Sequence, residues 1–464
     1  MNRIVIIGGG PGGYEAALVA SQLHARVTVV DSDGIGGSAV LTDCVPSKTL
    51  IATAEVMTDM ASAEALGVTL TDAEGDTAAT VTIDLARVNA RVKKLASDQS
   101  ADIAARLERE GVRVVQGRGR LDGIGRVVAT LADGSEELLE ADAILVSTGA
   151  APRVVPEAQP DGERILTWEQ VYDLDQIPEH LIVVGSGVTG AEFASAYVAL
   201  GIEVTLVSSR ERVLPGEDAD AATVLEQVLT RRGMKLLSQS RMQSVTREGD
   251  VVTVTLVDGR TVTGSHCVLA LGSIPNTAGL GLEEAGIRLD QQGFIKVDRV
   301  SRTSVTGVYA AGDCTGVLML ASVAAMQGRI AMWHYMGDAV SPIDLKKVCS
   351  NVFTSPEIAT VGWSQRAIDA GEIAAETVML PLATNARAKM QGITDGFVKL
   401  FCRPGTGSVV GGVVVAPRAS ELIHVVSLAV AESLTADQLA HAFTVYPSLS
   451  GSIAEAARRL HQVQ

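Results

Sequence analysis

The sequence predicts an α/β protein with two Rossmann-like dinucleotide-binding domains and a C-terminal α+β domain. Its 464 residues are long for a single domain, so two or three domains are expected. Residues 3–17 (RIVIIGGGPGGYEAA) and 180–194 (HLIVVGSGVTGAEFA) both read as an apolar strand, a G-x-G-x-x-G turn and the start of an Ala-rich helix. Residues 341–464 contain no nucleotide motif and alternate strand-like with helical patterns. A duplicated nucleotide-binding unit and a third domain together account for the length.

The net charge and the small number of cysteines indicate which partners and which cellular location to expect. The net charge of −16 at pH 7 makes nucleic acid and anionic membrane surfaces poor partners. No run approaches the ~20 apolar residues that span a bilayer, and the N-terminal strand runs into glycines rather than forming a signal peptide. We therefore expect no membrane insertion, no metal and a cytoplasmic location with mostly reduced thiols. The five cysteines are Cys44, Cys267, Cys314, Cys349 and Cys402.

The first fingerprint predicts a dinucleotide site at the N-terminus. Gly8, Gly10 and Gly13 allow a tight turn, a close approach of backbone to pyrophosphate, and close packing of helix on strand. A second apolar strand at 26–30 ends next to Asp31, a carboxylate that can accept hydrogen bonds from a ribose. The alternative is a structural glycine turn, but the strand, helix and acid around the motif favour nucleotide binding.

The second fingerprint predicts a site for a different nucleotide. Its glycines are Gly185, Gly187 and Gly190, and its second strand at 203–207 is followed by Ser208 rather than by an acid. Ser208 lies 23 positions after the first glycine of its motif, as Asp31 does. A small hydroxyl with Arg210 nearby suits a 2′-phosphate, because guanidinium makes charge-assisted bonds to phosphate. Alternatively, Arg210 and Arg212 are a solvated surface pair.

Two dinucleotide sites in one chain are typical of an electron-transfer enzyme with one bound flavin and one exchangeable nicotinamide. At this point the chain resembles the flavoprotein disulfide reductase family over nearly its whole length. The motifs that carry the resemblance are, in order, GGGPGGYEAA, GIGGSAVLTDCVPSK, LVSTGA, VVGSGVTGAEFA, VYAAGDCTG, VFTSPEIATVG and VYPSLSGSIAEAA.

The resemblance implies an FAD-binding domain interrupted by an NAD(P)-binding domain, and a C-terminal interface domain that forms a homodimer. The implied segments are 1–150 and 272–340 for FAD, 151–271 for NAD(P), and 341–464 for the interface. The implied FAD contacts are Gly8, Gly10, Gly13, Asp31, Gly36, Gly37, Lys48, Gly119, Thr148, Gly149, Asp313 and Ala321. The implied NAD(P) contacts are Gly185, Gly187, Gly190, Ser208, Arg210 and Gly272. NADPH is the expected reductant, with NADH also admitted.

The resemblance also implies a catalytic ion pair between Lys48 and Glu192 beside flavin N5. The alternative for Lys48 is an exposed lysine after a Pro-Ser turn. The third candidate catalytic residue is Tyr446, which occupies the family's position for an acid/base histidine. A tyrosine with a pKa near 10 is a poor proton donor for thiol exchange at neutral pH.

The chain departs from the family at the redox disulfide. The family has Cys-x4-Cys in the helix after Gly36 and Gly37, where this chain has Ala39 and Cys44. One sulfur cannot form that disulfide, and Gly451 replaces the glutamate that orients the family's histidine. Lipoamide and glutathione are therefore excluded as efficient substrates. Cys44 is either a thiol that tunes the flavin or forms a sulfenic acid, or, as we favour, a small apolar residue without a role.

These departures match a disulfide-lacking branch of the family described as NAD(P)H:quinone reductases. We therefore expect NAD(P)H to reduce FAD, and FAD to reduce a planar acceptor such as a quinone. Three alternatives stay open: a soluble pyridine-nucleotide transhydrogenase, a single-cysteine peroxidase dependent on Cys44, and a non-enzymatic redox-sensing flavoprotein. The presence of both Lys48 and Glu192 argues against the last of these.

Overall fold

The computed structural model describes residues 1–69, 71 and 81–461. Contacts between Cα atoms divide the chain into two compact units. The first unit consists of Met1–Thr49, Asn89–Arg153 and Gly272–Asp344; the second consists of Leu50–Val88, Val154–Leu271 and Leu345–Gln464. The division of the chain into four domain segments stays a prediction.

The regular elements follow one another in an α/β order. The first part contains β1 (Arg3–Ile7), α1 (Pro11–Gln22), β2 (Arg26–Asp31), α2 (Gly37–Leu41), α3 (Cys44–Ser62), α4 (Leu85–Arg109), β3 (Arg113–Leu121), β4 (Arg126–Leu131), β5 (Glu136–Glu140), β6 (Ala143–Val146) and β7 (Ala150–Pro152). The middle part contains β8 (Ile165–Thr167), β9 (His180–Val184), α5 (Val188–Ala199), β10 (Glu203–Val207), α6 (Ala219–Arg231), β11 (Lys235–Leu237), β12 (Met242–Glu248), β13 (Val251–Leu256), β14 (Thr261–Gly264), β15 (His266–Leu269) and β16 (Ser273–Pro275). The last part contains β17 (Val308–Ala310), α7 (Ala321–Met336), β18 (Cys349–Val352), β19 (Glu357–Gly362), α8 (Gln365–Asp369), β20 (Glu376–Pro381), α9 (Ala386–Met390), β21 (Phe397–Cys402), β22 (Val409–Ala416), α10 (Ala419–Ala431), α11 (Ala436–His441) and α12 (Gly451–Arg459).

The first unit is built on a seven-stranded sheet in the order β17-β6-β1-β2-β3-β4-β5. Strands β17 to β3 are parallel, and β3, β4 and β5 form an antiparallel meander. The β1 strand is almost wholly buried because it lies in the middle of the parallel part, which explains its unbroken run of Ile and Val. The carboxyl ends of β1 and β6 therefore meet at one edge of the sheet, as ligand sites in open α/β sheets require.

Helix α1 packs on α7 in the first unit. A Cβ added at Gly328 would overlap the carbonyl oxygen of Gly12, so the two helices approach with backbone against backbone. An ion pair between Arg329 and Glu15, with Nε and Oε2 at 2.9 Å, adds a contact between the same helices. Small residues at a helix contact allow this close approach, and the Ala-rich start of α1 has that purpose.

The second unit contains three sheets, two formed by strands β8 to β15 and one formed by the C-terminal strands. A parallel sheet in the order β11-β10-β9-β15-β8 repeats the arrangement around β1, and β12, β13 and β14 form an antiparallel meander. The C-terminal sheet, β18-β19-β22-β21-β20, is antiparallel throughout. Its core is formed with α10 and α12, and members include Val398, Leu400, Val414, Ala416, Ile423, Val426, Ala456 and Ala457.

The predicted fold class is confirmed: two dinucleotide-binding folds and a C-terminal α+β part are present. The long polar stretch at roughly 86–110, whose composition is compatible with a helix, forms α4. One expectation was wrong in detail, because the segment after Gly36 and Gly37 is two helices rather than one. Helix α2 ends at Leu41 and α3 begins at Cys44. Within the described residues, no helix is both long and apolar enough to cross a membrane.

Candidate functional site

The first fingerprint forms a turn in which two of the glycines have no room for a side chain. Gly8 follows β1 with φ +101°, a conformation that favours glycine, and its N–H donates to the carbonyl oxygen of Val30 at 2.8 Å. A Cβ at Gly8 would overlap the carbonyl oxygen of Ser147, and a Cβ at Gly13 would overlap that of Gly8. These glycines let β1, β6 and α1 pack together.

Gly10 has a different role, because the space beside it is open. It is the N-cap residue of α1, with extended backbone and no side-chain cap, and Pro11 begins the helix. The nearest atom to a Cβ at Gly10 would be the Cα of Gly37, at 3.9 Å. The backbone N–H groups at the start of α1 therefore face a place where a phosphate can approach, as a pyrophosphate site requires. The residues present fit the ADP part of FAD.

Asp31 holds this turn through its carboxylate. Oδ2 accepts from the N–H of Gly9 at 2.6 Å, and Oδ1 accepts from the N–H groups of Asp33 at 2.9 Å and Gly34 at 2.6 Å. A carboxylate has about four lone-pair directions, so these three bonds leave one for a ribose hydroxyl. A ribose contact of Asp31 stays a prediction, and the sequence did not indicate that the same carboxylate organises the loop around it.

Gly36 and Gly37 lie directly on the first fingerprint. Gly36 adopts a left-handed backbone with φ +104° and donates its N–H to the carbonyl oxygen of Gly9 at 2.8 Å. A Cβ at Gly37 would lie 2.7 Å from the Cα of Gly10. The structure thus places Gly36 and Gly37 against the turn of the first fingerprint. The segment leading to α2 forms one side of that turn.

Asp313 lies beyond β17 in the same unit, and its chemistry is unusual for an aspartate. Burial, and after it the negative charge of Asp43, raises the pKa of Asp313 to about 6. The preceding residue, Gly312, donates its N–H to Oε1 of Gln327 at 2.8 Å, which fixes the turn. Sequence reasoning missed Asp43 and Gln327, because their roles depend on a neighbour remote in sequence. Ala321 is the first residue of α7.

The segment after β6 has contacts that differ from the expectation for Thr148 and Gly149. The Thr148 hydroxyl donates to the carbonyl oxygen of Asn276 at 2.7 Å, and the Asn276 side chain donates back to the Thr148 carbonyl at 3.0 Å. Gly149 accepts from the N–H of Asn276 at 3.0 Å. The Thr148 hydroxyl therefore joins two chain segments, and only the backbone here stays a predicted FAD contact.

Gly119 is buried in β3, where it also has a packing role that the sequence did not indicate. A Cβ at Gly119 would lie 2.9 Å from Cγ2 of Ile7 and 3.3 Å from Cγ1 of Val30. Glycine at this position lets β3 pack against the side chains of β1 and β2. A contact of its backbone with FAD stays a prediction.

Lys48 and Glu192 belong to different units, so their ion pair stays a prediction. Lys48 is half-buried in α3. Glu192 is 5% exposed in α5, and its Oε1 accepts the N–H of Phe353 at 2.9 Å. Three residues further along α5, the Ser195 hydroxyl accepts the N–H of Ser355 at 3.0 Å. These two bonds fix the rotation of α5 about its axis.

The second fingerprint repeats the geometry of the first. Gly185 has φ +114°, and a Cβ there would overlap the carbonyl oxygen of Ala270. A Cβ at Gly190 would overlap the carbonyl oxygen of Gly185, whereas nothing lies within 4 Å of a Cβ at Gly187. Gly187 is also the N-cap residue of α5, without a side-chain cap. The residues therefore fit a second nucleotide whose phosphates meet the N-terminus of α5.

Ser208 does not face a ligand, which corrects the predicted contact. Its side chain is fully buried, and its Oγ lies 2.7 Å from Oγ of Ser186. The same hydroxyl contacts the backbone N–H and carbonyl of Arg210, each at 3.1 Å. Arg210 itself is exposed and Arg212 is half-buried. A 2′-phosphate at this site would therefore meet Arg210 rather than Ser208.

The remaining candidates are Gly272, Tyr446 and Cys44. Gly272 accepts the N–H of Arg153 at 2.9 Å and has open space at its Cβ position. Tyr446 is 85% exposed, so the described part of the chain covers little of its side chain. Cys44 is half-buried at the start of α3, and none of the five cysteines is in a disulfide. In the described part of the chain, no group of three His, Cys, Asp or Glu residues could hold a metal ion.

A fold with two nucleotide turns of this kind defines a flavin- and nicotinamide-dependent oxidoreductase. Residues 2–328 match the family model described as pyridine nucleotide-disulphide oxidoreductase, and residues 348–457 match the dimerisation domain of that family. The chain therefore belongs to the pyridine nucleotide-disulphide oxidoreductase family, and FAD and NAD(P)H are its cofactors.

Individual relatives match over nearly the whole chain. The chain is 59% identical to an NAD(P)H dehydrogenase (quinone) of Mycobacterium tuberculosis, over 99% of this chain and 94% of that protein. It is 33% identical to a dihydrolipoyl dehydrogenase of Zymomonas mobilis, over 97% of this chain and 96% of that protein. The crystal structure of LpdA from Mycobacterium tuberculosis is 58% identical, with a TM-score of 0.94 over 100% of both chains.

Proposed function

We propose that this enzyme passes electrons from NADPH through FAD to quinones, without a redox disulfide. The observation that carries the proposal concerns the two positions where the family has its disulfide: Ala39, in α2, has no sulfur, and Cys44, the first residue of α3, is not in a disulfide. The name of the Mycobacterium tuberculosis relative, NAD(P)H dehydrogenase (quinone), supports the acceptor class. The balanced reaction takes NADPH, a proton and a quinone to NADP⁺ and a hydroquinone.

The residues of the first unit would bind FAD. The N-terminus of α1 would receive the pyrophosphate at Gly10, Asp31 would accept a ribose hydroxyl, and Asp313 would accept from the ribityl chain. When bound, FAD supplies a ring that accepts a hydride from a nicotinamide and returns electrons to an acceptor. Lys48 and Glu192 would orient that ring as an ion pair.

The residues of the second unit would bind the reductant. The N-terminus of α5 would receive the NADPH pyrophosphate beside Gly187, and the exposed Arg210 would bind the 2′-phosphate. Within the described residues, the Arg210 guanidinium has no hydrogen bond or ion pair to another side chain. Arg210→Ala should raise the KM for NADPH much more than the KM for NADH. An equal rise for both nucleotides would show that Arg210 does not read the 2′-phosphate.

We also propose a homodimer formed through the C-terminal domain. The match of 348–457 to a dimerisation domain supports it, as do the exposed side chains of Phe443, Val445 and Tyr446 in one short segment. Tyr446 would then reach the partner's flavin site rather than that of its own chain. Sedimentation should give twice the chain mass at micromolar concentration. A fully active monomer would refute the dimer.

The acceptor is tested with purified, FAD-loaded protein. NADPH oxidation should be fast with a naphthoquinone and very slow with lipoamide, and thio-NAD should not replace the quinone. The matched variants are Ala39→Cys, which restores two sulfurs, and Ala39→Cys/Tyr446→His/Gly451→Glu, which also restores the acid/base pair. Since general acid–base catalysis contributes roughly 10²–10⁴ in rate, the triple variant should reduce lipoamide faster than the single one. Lipoamide reduction by the unmodified enzyme at the quinone rate would overturn the proposal.

A further inference from the structure

The loop after β10 carries the arginines that are candidates for reading the nucleotide. We call Ser208–Arg212 the arginine loop. It begins at a buried serine and exposes the side chain of Arg210. An exposed arginine on an irregular loop has many conformations available, and holding it for one anion costs conformational entropy. The backbone under Arg210 therefore decides how well the guanidinium is placed before the nucleotide binds.

The Ser208 hydroxyl has three hydrogen-bonding contacts, and together they determine which group is the donor in each one. It lies within hydrogen-bonding distance of Oγ of Ser186 at 2.7 Å, and of the carbonyl and the N–H of Arg210 at 3.1 Å each. A serine hydroxyl has one proton and two lone pairs. Its proton goes to the Arg210 carbonyl, because that group can only accept. The two lone pairs then accept from the Arg210 N–H and from the Ser186 hydroxyl, so Ser186 is the donor in the serine pair.

Backbone hydrogen bonds from two residues just after β11 also hold the arginine loop. The N–H of Gln239 donates to the Arg210 carbonyl at 2.8 Å, and the N–H of Ser240 donates to the Ser208 carbonyl at 2.7 Å. The Ser240 hydroxyl in turn accepts from Arg260 at 2.8 Å. Both polar backbone groups of Arg210 are therefore bonded, and the side chain is the part left for a ligand.

Ser186 belongs to the second fingerprint, between Gly185 and Gly187. Its carbonyl accepts from the N–H of Leu214 at 2.8 Å, so its hydroxyl and its carbonyl both hold the chain that follows β10. The turn that meets the pyrophosphate is thus joined directly to the loop that presents Arg210. A nucleotide with a 2′-phosphate has two anionic groups joined through one ribose, so their separation is limited. The hydrogen bonds of Ser186 likewise limit the separation of the pyrophosphate turn and the loop that carries Arg210.

We propose that the Ser186–Ser208 hydroxyl pair positions Arg210 for the 2′-phosphate, and so determines the preference for NADPH over NADH without either serine contacting the nucleotide. The inference rests on the proposed role of Arg210. NADH lacks the 2′-phosphate, so its binding should not depend on the pair. Ser186 is 5% exposed and Ser208 is fully buried, so both hydroxyls lie between the fingerprint turn and the arginine loop rather than at the surface.

The test uses Ser186→Ala in the FAD-loaded enzyme. Because the loss of one neutral hydrogen bond changes an equilibrium by roughly two- to ten-fold, the KM for NADPH should rise by about five-fold. The KM for NADH and the kcat with either nucleotide should stay within about two-fold. The dissociation constant of 2′,5′-ADP, measured by calorimetry, should rise by the same factor as the KM for NADPH, and that of ADP should not. The control is Ser209→Ala, an exposed neighbour in the same loop, which should change none of these values.

A double variant separates this proposal from the role of Arg210. If the serines act through Arg210, adding Ser186→Ala to Arg210→Ala should produce no further loss of 2′,5′-ADP affinity. If Arg210→Ala alone leaves NADPH binding unchanged, the proposed reading of the 2′-phosphate is wrong. If Arg210→Ala is selective but Ser186→Ala weakens ADP and 2′,5′-ADP equally, Arg210 keeps its role and the positioning by serines is overturned. Ser208→Ala gives a second measurement of the same pair.

Discussion

The two fingerprint turns of this chain share a backbone and differ in the residue that closes them. In both, a left-handed first glycine and a third glycine that touches it make room for strand and helix, while the middle glycine faces open space. The first turn is closed by Asp31, whose carboxylate accepts three backbone N–H groups. The second is closed by the hydroxyl of Ser208. The glycine backbone is thus common to both turns, and the closing residue is where we propose that each turn is adapted to one nucleotide.

The helices that follow the two turns also have different neighbours. Helix α1 lies against α7 through the close contact of Gly12 with Gly328. Helix α5 is instead held by the hydrogen bonds of Glu192 and Ser195 to the backbone at 353 and 355. The α1–α7 contact depends on the absence of side chains at two glycines, whereas α5 is held by hydrogen bonds. An added methyl group should therefore disturb the first helix, and the loss of a hydrogen-bonding group should disturb the second.

The largest expected effect comes from alanine at the third glycine of each turn. Gly13→Ala should give protein that does not retain FAD, because the new methyl overlaps the Gly8 carbonyl. Gly190→Ala should give yellow protein that no longer binds NADPH. The absorbance of bound flavin and the KM for NADPH measure the two outcomes. Gly187→Ala is the control for folding, since its Cβ position is open. Normal FAD content in Gly13→Ala would contradict the steric argument.

A smaller effect is expected from Asp31→Asn. The amide keeps one acceptor oxygen but places an NH₂ group against a backbone N–H that now lacks a partner. An unsatisfied buried donor costs about 1–3 kcal/mol, so FAD retention on dilution should fall by roughly five-fold or more. Binding of 2′,5′-ADP to the second turn should be unaffected. Equal damage at both sites would mean that Asp31 supports the whole fold rather than its own turn.

A pH dependence is expected from Asp313. Because its pKa is raised to about 6, the neutral form dominates below that pH and the anion above it. Ribityl hydroxyl groups donate more strongly to the anion, so FAD affinity should rise as pH increases through about 6 and fall as pH decreases. FAD release, followed by flavin fluorescence, should be faster at pH 5 than at pH 7.5. Asp313→Asn should release FAD readily at both values. A pH-independent release from the unmodified enzyme would remove Asp313 from this role.

The smallest effect should follow Arg329→Met, which removes the ion pair of α7 with Glu15 on α1. The pair is partly exposed, and such pairs contribute about 0.2–1 kcal/mol. We expect a fall in Tm of a few degrees at most and no change in either nucleotide KM. Methionine keeps the apolar length of the side chain, so packing is conserved. A loss of FAD from this variant would show that the α1–α7 contact depends on charge rather than on the glycines.

Sequence alone located both nucleotide turns because their determinants are local. A glycine with positive φ next to a strand, such as Gly8 or Gly185, is visible as a motif. Residue type did not reveal that Ser208 is buried, because a serine after a strand is compatible with either a ligand or a backbone contact. The influence of Asp43 on Asp313 was missed for another reason: these residues are distant in sequence, and only the folded chain brings their charges within range of each other.

The alanine at position 39 of α2 also has a consequence for inhibition. Trivalent arsenicals inactivate enzymes by binding two neighbouring thiolates at once, since soft sulfur ligands chelate the arsenic far better as a pair. Here the residue five positions before Cys44 is Ala39, so no second sulfur is available at that place. A poison that depends on a dithiol should leave this enzyme active at concentrations that stop a relative with Cys-x4-Cys. With one sulfur at this place instead of two, electron transfer should therefore continue in the presence of a reagent that requires a dithiol.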